Sequence, residues 1–133
     1  MGPGLRKRYR KRHRLSHALE YAAVRARGVR KARGDLFITI LPTNHPQHRL
    51  GLQVGKRIGN AVRRGRAKRL IREAFRLSNA ELPTPAPGSN AYDIVVSARA
   101  MPRSLKTCTA DLTAAVNAAH RACRKRDQQD RPA

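Results

Sequence analysis

The residues whose types and spacing could do chemistry lie between Lys56 and Arg76, in the run KRIGNAVRRGRAKRLIREAFR. Nine of these twenty-one residues are basic, and Glu73 is the one acidic residue among them. Arginine dominates over lysine, and a planar guanidinium can hold a phosphate through two parallel hydrogen bonds. The chemistry that this segment indicates is phosphate binding, and the abundance of arginine favours a structured RNA.

The composition of the whole chain indicates the same class of partner. Thirty Lys and Arg against eight Asp and Glu give 133 residues a formal charge of +22. A folded body this small repels itself at such a charge unless a polyanion lies nearby. Tryptophan is absent and there are three Tyr and two Phe, too few for a broad platform on which bases stack. We therefore expect phosphate contacts to dominate.

No set of side chains is arranged for autonomous catalysis. A self-sufficient nuclease needs clustered carboxylates or a histidine acid–base pair, whereas the eight acidic residues are scattered, apart from Asp127 and Asp130. His45 and His48 have no third ligand and no cysteine nearby in sequence, so their segment is interpreted as a turn and not as a metal site. The sequence thus predicts no catalytic residue and no metal ligand.

Neither a membrane partner nor a disulfide is expected. The longest apolar run, Leu36 to Leu41, is far shorter than the ~20 residues of a spanning helix, and the basic N-terminus lacks the apolar region of a secretory signal. Cys108 and Cys123 fall in one candidate helix, where a rise of about 1.5 Å per residue separates them by roughly 22 Å. Reduced thiols and a cytoplasmic location are the interpretation.

A helix must carry the basic run, because its apolar residues recur with helical period. Asn60 can cap this helix, which we predict to end near Leu77. The apolar stripe consists of Ala67, Leu70, Ile71, Ala74 and Phe75. The basic residues that project away from this stripe are Arg66, Lys68, Arg69, Arg72 and Arg76. Arg63 and Arg64 would point into the apolar arc of a regular helix, so we place them in its first turn, beside N–H groups that also attract phosphate.

A first helix is predicted over residues 15–27, with Gly28 as its stop signal. A second stripe on this helix has the right spacing to contact RNA. It consists of Arg14, His17, Tyr21 and Arg25.

Three strands and a third helix follow from the remaining pattern. Residues 35–41 and 49–55 read as two antiparallel strands, and residues 92–98 as a buried strand parallel to 49–55. Residues 80–91 contain three prolines and form a loop. Beyond Pro102 a third helix packs on the sheet.

The chain is therefore interpreted as an α/β protein, a small mixed sheet with three main helices. Residues 1–14 are expected to be a basic disordered arm, residues 15–126 a single domain, and residues 127–133 a frayed tail.

Two other nucleic-acid-binding classes share some of these features. Ribosomal proteins are equally small, basic and poor in aromatic residues, so composition alone does not separate them from this chain. A basic helix can also enter the major groove of DNA, but here a strand and not a short helix precedes it, which argues against a helix-turn-helix.

The run RLGLQVGKRIGNAVRRGRAKRLIREAF resembles the signature of the bacterial ribonuclease P protein family. Its members share a strand, then Lys-Lys/Arg-x-Gly-Asn-Ala-Val, then an Arg-Asn-Arg box and x-Lys-Arg-x-x-Arg-Glu. The positions that fit are Lys56, Arg57, Gly59, Asn60, Ala61, Val62, Arg64, Arg66, Lys68, Arg69, Arg72 and Glu73. The resemblance extends over about residues 13–120, and this motif is what separates the chain from ribosomal proteins.

The resemblance implies a fold, an activity and partners. The fold is an α+β two-layer sandwich whose strand–helix–strand unit is a left-handed crossover, against the general right-handed rule. The catalyst is a partner ribonuclease P RNA that uses Mg²⁺ to release the 5′ leader of precursor tRNA, and the protein is an accessory subunit, one per RNA.

The resemblance also assigns residues. Those implied to bind the catalytic RNA are Lys56, Arg57, Asn60, Arg63, Arg64, Arg66, Lys68, Arg69 and Arg72. Those expected to bind the leader, in a cleft between the first helix and the sheet, are Arg14, Tyr21, Arg25 and Thr39.

The sequence departs from the family pattern at a few positions. Gly65 replaces the central Asn of the box and loosens the start of the helix by up to ~1 kcal/mol relative to Ala. Gln53 and Gly55 stand where hydroxyl residues are common. Arg25 stands where a second aromatic is usual, and we hypothesise that its guanidinium stacks on a base in place of the ring.

Overall fold

The computed structural model describes residues 13–15 and 18–130, with side chains as far as Arg126. The elements in chain order are α1 (Ala18–Arg27), β1 (Val29–Arg33), β2 (Leu36–Thr43), β3 (Arg49–Gln53), α2 (Ala61–Ser78), β4 (Ala91–Ala98) and α3 (Leu105–Asp130). Single turns of 3₁₀ helix at Lys56–Ile58 and Asn79–Glu81 flank α2.

The four strands form one mixed sheet in the order β1-β2-β4-β3. β4 is antiparallel to β2 and parallel to β3, with Leu50 opposite Ile94 and Leu52 opposite Val96. The predicted parallel pairing of residues 92–98 with 49–55 is confirmed. The first two predicted strands run in opposite directions but are not neighbours, because β4 lies between them. Its continuous apolar run is typical of a central strand that is covered on both faces. The hand of the crossover from β3 through α2 to β4 stays a prediction.

The sequence interpretation missed β1, which pairs along its whole length with β2. Its residues, VRKAR, are mostly basic and do not alternate clearly, which is common for an edge strand, where charge discourages pairing with other chains. Gly28 allows the chain to turn directly from α1 into β1, because a β-carbon there would collide with the carbonyl oxygens of Val24 and Ile40.

Alternate residues of the sheet face two different packing layers, as the pleat requires. Ile38, Ile94 and Val96 face the main core, which α2 and α3 cover with side chains such as Phe75 and Val116. On the opposite face, the buried residues Leu15, Val24 and Val95 form a smaller cluster under α1. The predicted α+β class is confirmed, with α1 on the far face of the sheet.

The ends of the folded body differ from the expected boundaries. His13 is buried, and the Leu15 N–H donates to the Leu50 carbonyl at 3.0 Å, so residues 13 and 14 lie against β3 and not in an arm. The expected frayed tail is helical as far as Asp130. His17, like the rest of residues 1–12, 16–17 and 131–133, lies outside the described residues.

Cys108 and Cys123 are both buried. Burial raises the pKa of Cys108 to about 11, with smaller contributions from Asp111 and Asp35. Within the described ranges, no helix combines the length and apolarity needed to cross a membrane.

Candidate nucleic-acid interface

The start of α2 is fixed by local contacts that the sequence predicted in part. The Asn60 side chain caps the helix, since its Oδ1 accepts a hydrogen bond from the Arg63 N–H at 3.0 Å. Gly59 precedes it at a φ of 133°, a conformation that L side chains rarely adopt. A β-carbon at Gly59 would lie 2.7 Å from Cδ of Arg63, so glycine also makes room for this arginine.

Arg63 and Arg64 lie in the first turn of α2, as predicted. The Arg63 Nε donates to the Ile58 carbonyl at 3.0 Å, which folds this exposed side chain back over the 3₁₀ turn. The guanidinium is thereby held beside the helix N-terminus, whose free N–H groups also favour an anion.

Arg64 is half-buried, and its Nε is enclosed without a hydrogen-bond partner in the described part of the chain. An unsatisfied buried donor costs about 1–3 kcal/mol. Because this Nε is enclosed, a phosphate could reach the Arg64 guanidinium only through its Nη groups.

The outer face of α2 carries a row of cations that we call the α2 row. It consists of Arg66, Lys68, Arg69 and Arg72. None of these four forms an ion pair with a described acidic side chain. Glu73, the one acid on α2, is instead bound to Arg76 through Nε at 3.0 Å, and these hydrogen bonds lower the pKa of Glu73. The positive charge of the α2 row is thus left available to a ligand.

The opposite face of α2 anchors the helix to the core, as the apolar stripe predicts. Ala67, Ile71, Ala74 and Phe75 are buried there. Val62 does not share this role, because 68% of it is exposed in the first turn, among the basic residues. It adds an apolar contact surface to the start of the interface.

On the far face of the sheet, Tyr21 connects α1 to β3. Its hydroxyl accepts the Leu52 N–H at 3.1 Å and donates to the Leu15 carbonyl at 3.4 Å. Its ring lies over Gly51, where a β-carbon would come within 2.7 Å of it. A glycine in β3 therefore allows the helix to approach the sheet this closely.

Beside α1 on this face lie the partly exposed residues Phe37 and Thr39 of β2, in the region where the leader cleft is expected. Thr39 lies in the same row across the sheet as Val95 and Gly51, so it is about 10 Å from Gly51 at the usual strand spacing. Two residues before Thr39 on β2, the Phe37 ring lies 4.3 Å from the guanidinium carbon of Arg30 and 5.2 Å from that of Arg99. This cluster was not predicted from the sequence, because Arg30 lies in β1, the strand without a clear sequence pattern.

Arg49 fixes the position of α1 on the sheet. Its Nε and Nη2 donate to the two carboxylate oxygens of Asp93, both at 2.8 Å, while its Nη1 lies 2.6 Å from Glu20 of α1. The hydrogen bonds to Asp93, followed by those to Glu20, raise the pKa of Arg49. One guanidinium thus joins α1, β3 and β4.

The four residues expected to bind the leader lie on three different segments of the chain. Tyr21 and Thr39 face the same side of the sheet, and Arg25 is exposed one turn after Tyr21 on α1. Arg14 lies in an extended segment that bridges Leu50 of β3, so the predicted helical stripe from Arg14 to Arg25 is wrong. The described part of α1 is Ala18–Arg27.

Comparisons with known proteins agree with this geometry. The sequence model of the family described as Ribonuclease P matches residues 9–123. A protein of Syntrophobacter fumaroxidans named ribonuclease P protein component is 39% identical over 106 residues, which cover 80% of this chain and 83% of that protein. One of the same name from Exiguobacterium sibiricum is 42% identical over 81 residues, covering 60% of this chain and 65% of the relative.

Solved structures show the same fold. An RNase P protein mutant from Staphylococcus aureus superposes with a TM-score of 0.70 at 26% identity, over 82% of this chain and 89% of that one. The RNase P protein from Thermotoga maritima superposes with a TM-score of 0.64 over 81% of this chain and 96% of that one. At 23% identity, the second comparison supports the fold alone.

Proposed function

The chain belongs to the ribonuclease P protein family, and from that premise we propose how it works as the protein component of a ribonuclease P. It binds the catalytic RNA through the start of α2 and the α2 row. It holds the 5′ leader of precursor tRNA in the cleft beside α1. The RNA subunit performs the cleavage, and the protein assists it by binding the substrate, with one protein per RNA.

The observation that carries the RNA-binding part is the α2 row, whose four cations form no ion pair with a described acidic side chain and follow Arg63 and Arg64 on the same helix. Lys56 and Arg57 extend this charge along the exposed 3₁₀ turn. Asn60 is bound mainly to the helix, since its Oδ1 caps α2. Its contribution to RNA binding is therefore to hold Arg63 and Arg64 in position.

The cleft supports the leader-binding part of the proposal. It presents Tyr21, Thr39 and the Phe37 ring on one face, with Arg25 and Arg30 exposed beside them. Few aromatic rings are present, so arginine charge and guanidinium stacking supply much of the attraction to a single strand. Arg25 acts in place of a second aromatic ring.

Mg²⁺ is assigned to the RNA subunit. Among the described residues, no group of three or more His, Cys, Asp or Glu side chains could hold a metal ion. No step of the proposal passes through a metal bound to the protein. The protein changes the Mg²⁺ requirement of cleavage indirectly, since its cations neutralise phosphates that Mg²⁺ would otherwise screen.

The decisive experiment is cleavage of precursor tRNA by the cognate RNA subunit at low Mg²⁺, with and without this protein. We expect the protein to stimulate cleavage strongly, and absence of stimulation would overturn the proposed function. Arg66→Ala should weaken assembly with the RNA subunit. Arg25→Ala should weaken binding of a precursor that carries a leader and leave binding of mature tRNA unchanged; equal affinities for wild type and R25A would remove the assignment of Arg25.

A further inference from the structure

A second basic surface lies apart from α2, and neither the α2 row nor the cleft accounts for it. We define it as the distal basic surface. It consists of Arg27, Arg30, Arg121, Arg124, Lys125 and Arg126. All six side chains are exposed, and they come from three different elements, α1, β1 and α3.

Contacts at the two ends of β1 bring these elements together. Near the start of α3, the Asp111 carboxylate accepts the Asp35 N–H at 3.4 Å, just beyond the end of β1. Near the other end of α3, the Arg126 Nη1 donates to the Arg27 carbonyl at 3.2 Å, just before β1 begins. α3 therefore runs antiparallel to β1, and its last turns reach the junction of α1 and β1.

The charge of this surface is not neutralised by the described acidic side chains. None of the six cations forms an ion pair with one of them. The pKa of His120 is lowered first by burial and then by repulsion from Arg124 and Arg121, so the charge of these two arginines acts on their neighbour. Asp127 and Asp130 follow in the sequence and leave the surface with a net positive charge.

Helix and strand stability do not require so many cations. A basic side chain at a helix C-terminus contributes about 0.3–1 kcal/mol, and Arg126 alone supplies one to the end of α1. One or two charges suffice to protect an edge strand from pairing. Six like charges from three elements repel one another, and a polyanion would relieve that repulsion.

Arg30 connects the distal basic surface with the cleft, because its guanidinium stacks on Phe37. From Arg30, the chain leads back through Gly28 to Arg27 and its contact with Arg126. Arg30 and Arg126 thus lie near the two ends of a path that leads from Phe37, past the start of β1, to the end of α3. The α2 row belongs to a different element, and its Arg66 and Arg69 line a groove with Leu105 at the start of α3, the opposite end of that helix from Arg126.

We propose that the distal basic surface binds the phosphates of single-stranded RNA that leaves the cleft past Phe37, which makes it a site for leader nucleotides upstream of those held in the cleft. This inference rests on the proposed function and extends it. It makes leader length a determinant of substrate affinity, through contacts that read charge and not sequence.

The test compares two precursor tRNAs bound to the assembled holoenzyme. One has a leader just long enough to fill the cleft, and the other is extended upstream by a uridine tract. The triple variant Arg121→Ala, Arg124→Ala and Lys125→Ala avoids Arg126, which bonds to the backbone. We expect wild type to bind the longer leader more tightly and the variant to lose most of this gain. For the longer leader, the slope of log affinity against log salt concentration should be shallower by about 2 in the variant than in wild type. Three cations are removed, and each single-strand phosphate contact contributes ~0.7 to the slope.

The matched control is Arg103→Ala with Lys106→Ala, which removes two exposed cations at the other end of α3 and should keep the full gain. Thermal unfolding of each variant confirms that the fold is retained. Loss of affinity for both precursors alike would assign the surface to the RNA subunit and overturn the inference, as would an undiminished gain in the triple variant. Failure of the proposed function would look different, because the wild-type protein would then not stimulate cleavage with either leader.

Discussion

His48, which was predicted to lie in a turn, has a structural role in the folded protein. It is buried, its Nδ1 accepts the Tyr92 N–H at 3.0 Å, and its ring stacks on that of Tyr92. Burial lowers the pKa of His48, while hydrogen bonds with the backbone of Leu82 and Tyr92 oppose this effect. The neutral ring is the form that fits, because a protonated Nδ1 could not accept.

This arrangement predicts a loss of stability in mild acid. The folded-state pKa of His48 lies below its ordinary value of 6.5, so the unfolded chain binds the proton more tightly. Stability should be complete above pH ~6.5 and should decrease as the pH falls through the folded-state pKa. Urea unfolding between pH 8 and pH 5 measures this.

The matched variant is His48→Asn, whose side-chain oxygen can still accept a hydrogen bond but does not titrate. Its stability should depend less on pH than that of wild type. Part of the slope should remain, because burial also lowers the pKa of His120, whose Nδ1 lies 2.6 Å from the Tyr92 hydroxyl. Identical slopes for the two proteins would show that His48 is not the group responsible.

Single residues of the site differ in how far the sequence could predict them. Asn60 and Arg63 were placed correctly, because a cap and a first turn are set by neighbours a few positions away. Arg49 was not singled out, since its partners Glu20 and Asp93 come from two other elements and are brought to it only by the fold.

At the scale of the elements, local pattern predicted α2, β4 and most of α3, and it failed where pairing decides the outcome. An apolar stripe together with a capping residue defines α2 without reference to the sheet. β1 has no such signal, because it is stabilised by its ladder with β2 and by packing against α3. The place of β4 between β2 and β3 likewise depends on pairing between residues distant in sequence. Its apolar run is nevertheless the feature that a central strand requires.

Gly65 provides a prediction for α2. It lies inside the helix, and a β-carbon there would meet only Arg69 Nη1, at 3.5 Å, an ordinary contact. Gly65→Ala should therefore stabilise the protein by about 0.5–1 kcal/mol through helix propensity alone, as measured by urea unfolding. Gly59→Ala is the contrasting variant and should destabilise, because Gly59 has a φ of 133° and closely approaches Arg63. A destabilised G65A protein would mean that the glycine has a role beyond that of the helix backbone.

At the scale of the whole molecule, the charge of +22 includes two separate basic surfaces, the α2 row and the distal basic surface. A protein that binds RNA through its cations releases counter-ions from each phosphate that it neutralises. We therefore expect affinity for the RNA subunit to fall steeply with salt, with a log–log slope of ~0.7 to 0.9 for each phosphate contact.

Filter binding across a range of salt concentrations measures this slope. Removing two members of the α2 row, in Arg66→Ala with Arg69→Ala, should reduce it by about 1.5, whereas Arg103→Ala should leave it unchanged. A flat salt response in wild type would contradict the electrostatic basis of binding.

The position of β4 in the sheet also bears on how the protein is made. Among the described residues, β4 provides the one extended ladder for β3, yet it is synthesised after α2. A nascent chain that has emerged from the ribosome only as far as Ser78 therefore contains every arginine of the α2 row. It lacks the completed sheet on which α2 packs. Completion of the sheet depends on contacts distant in sequence, which form slowly. Until the last third of the chain has been translated, we expect a nascent molecule to attract nucleic acid by charge alone.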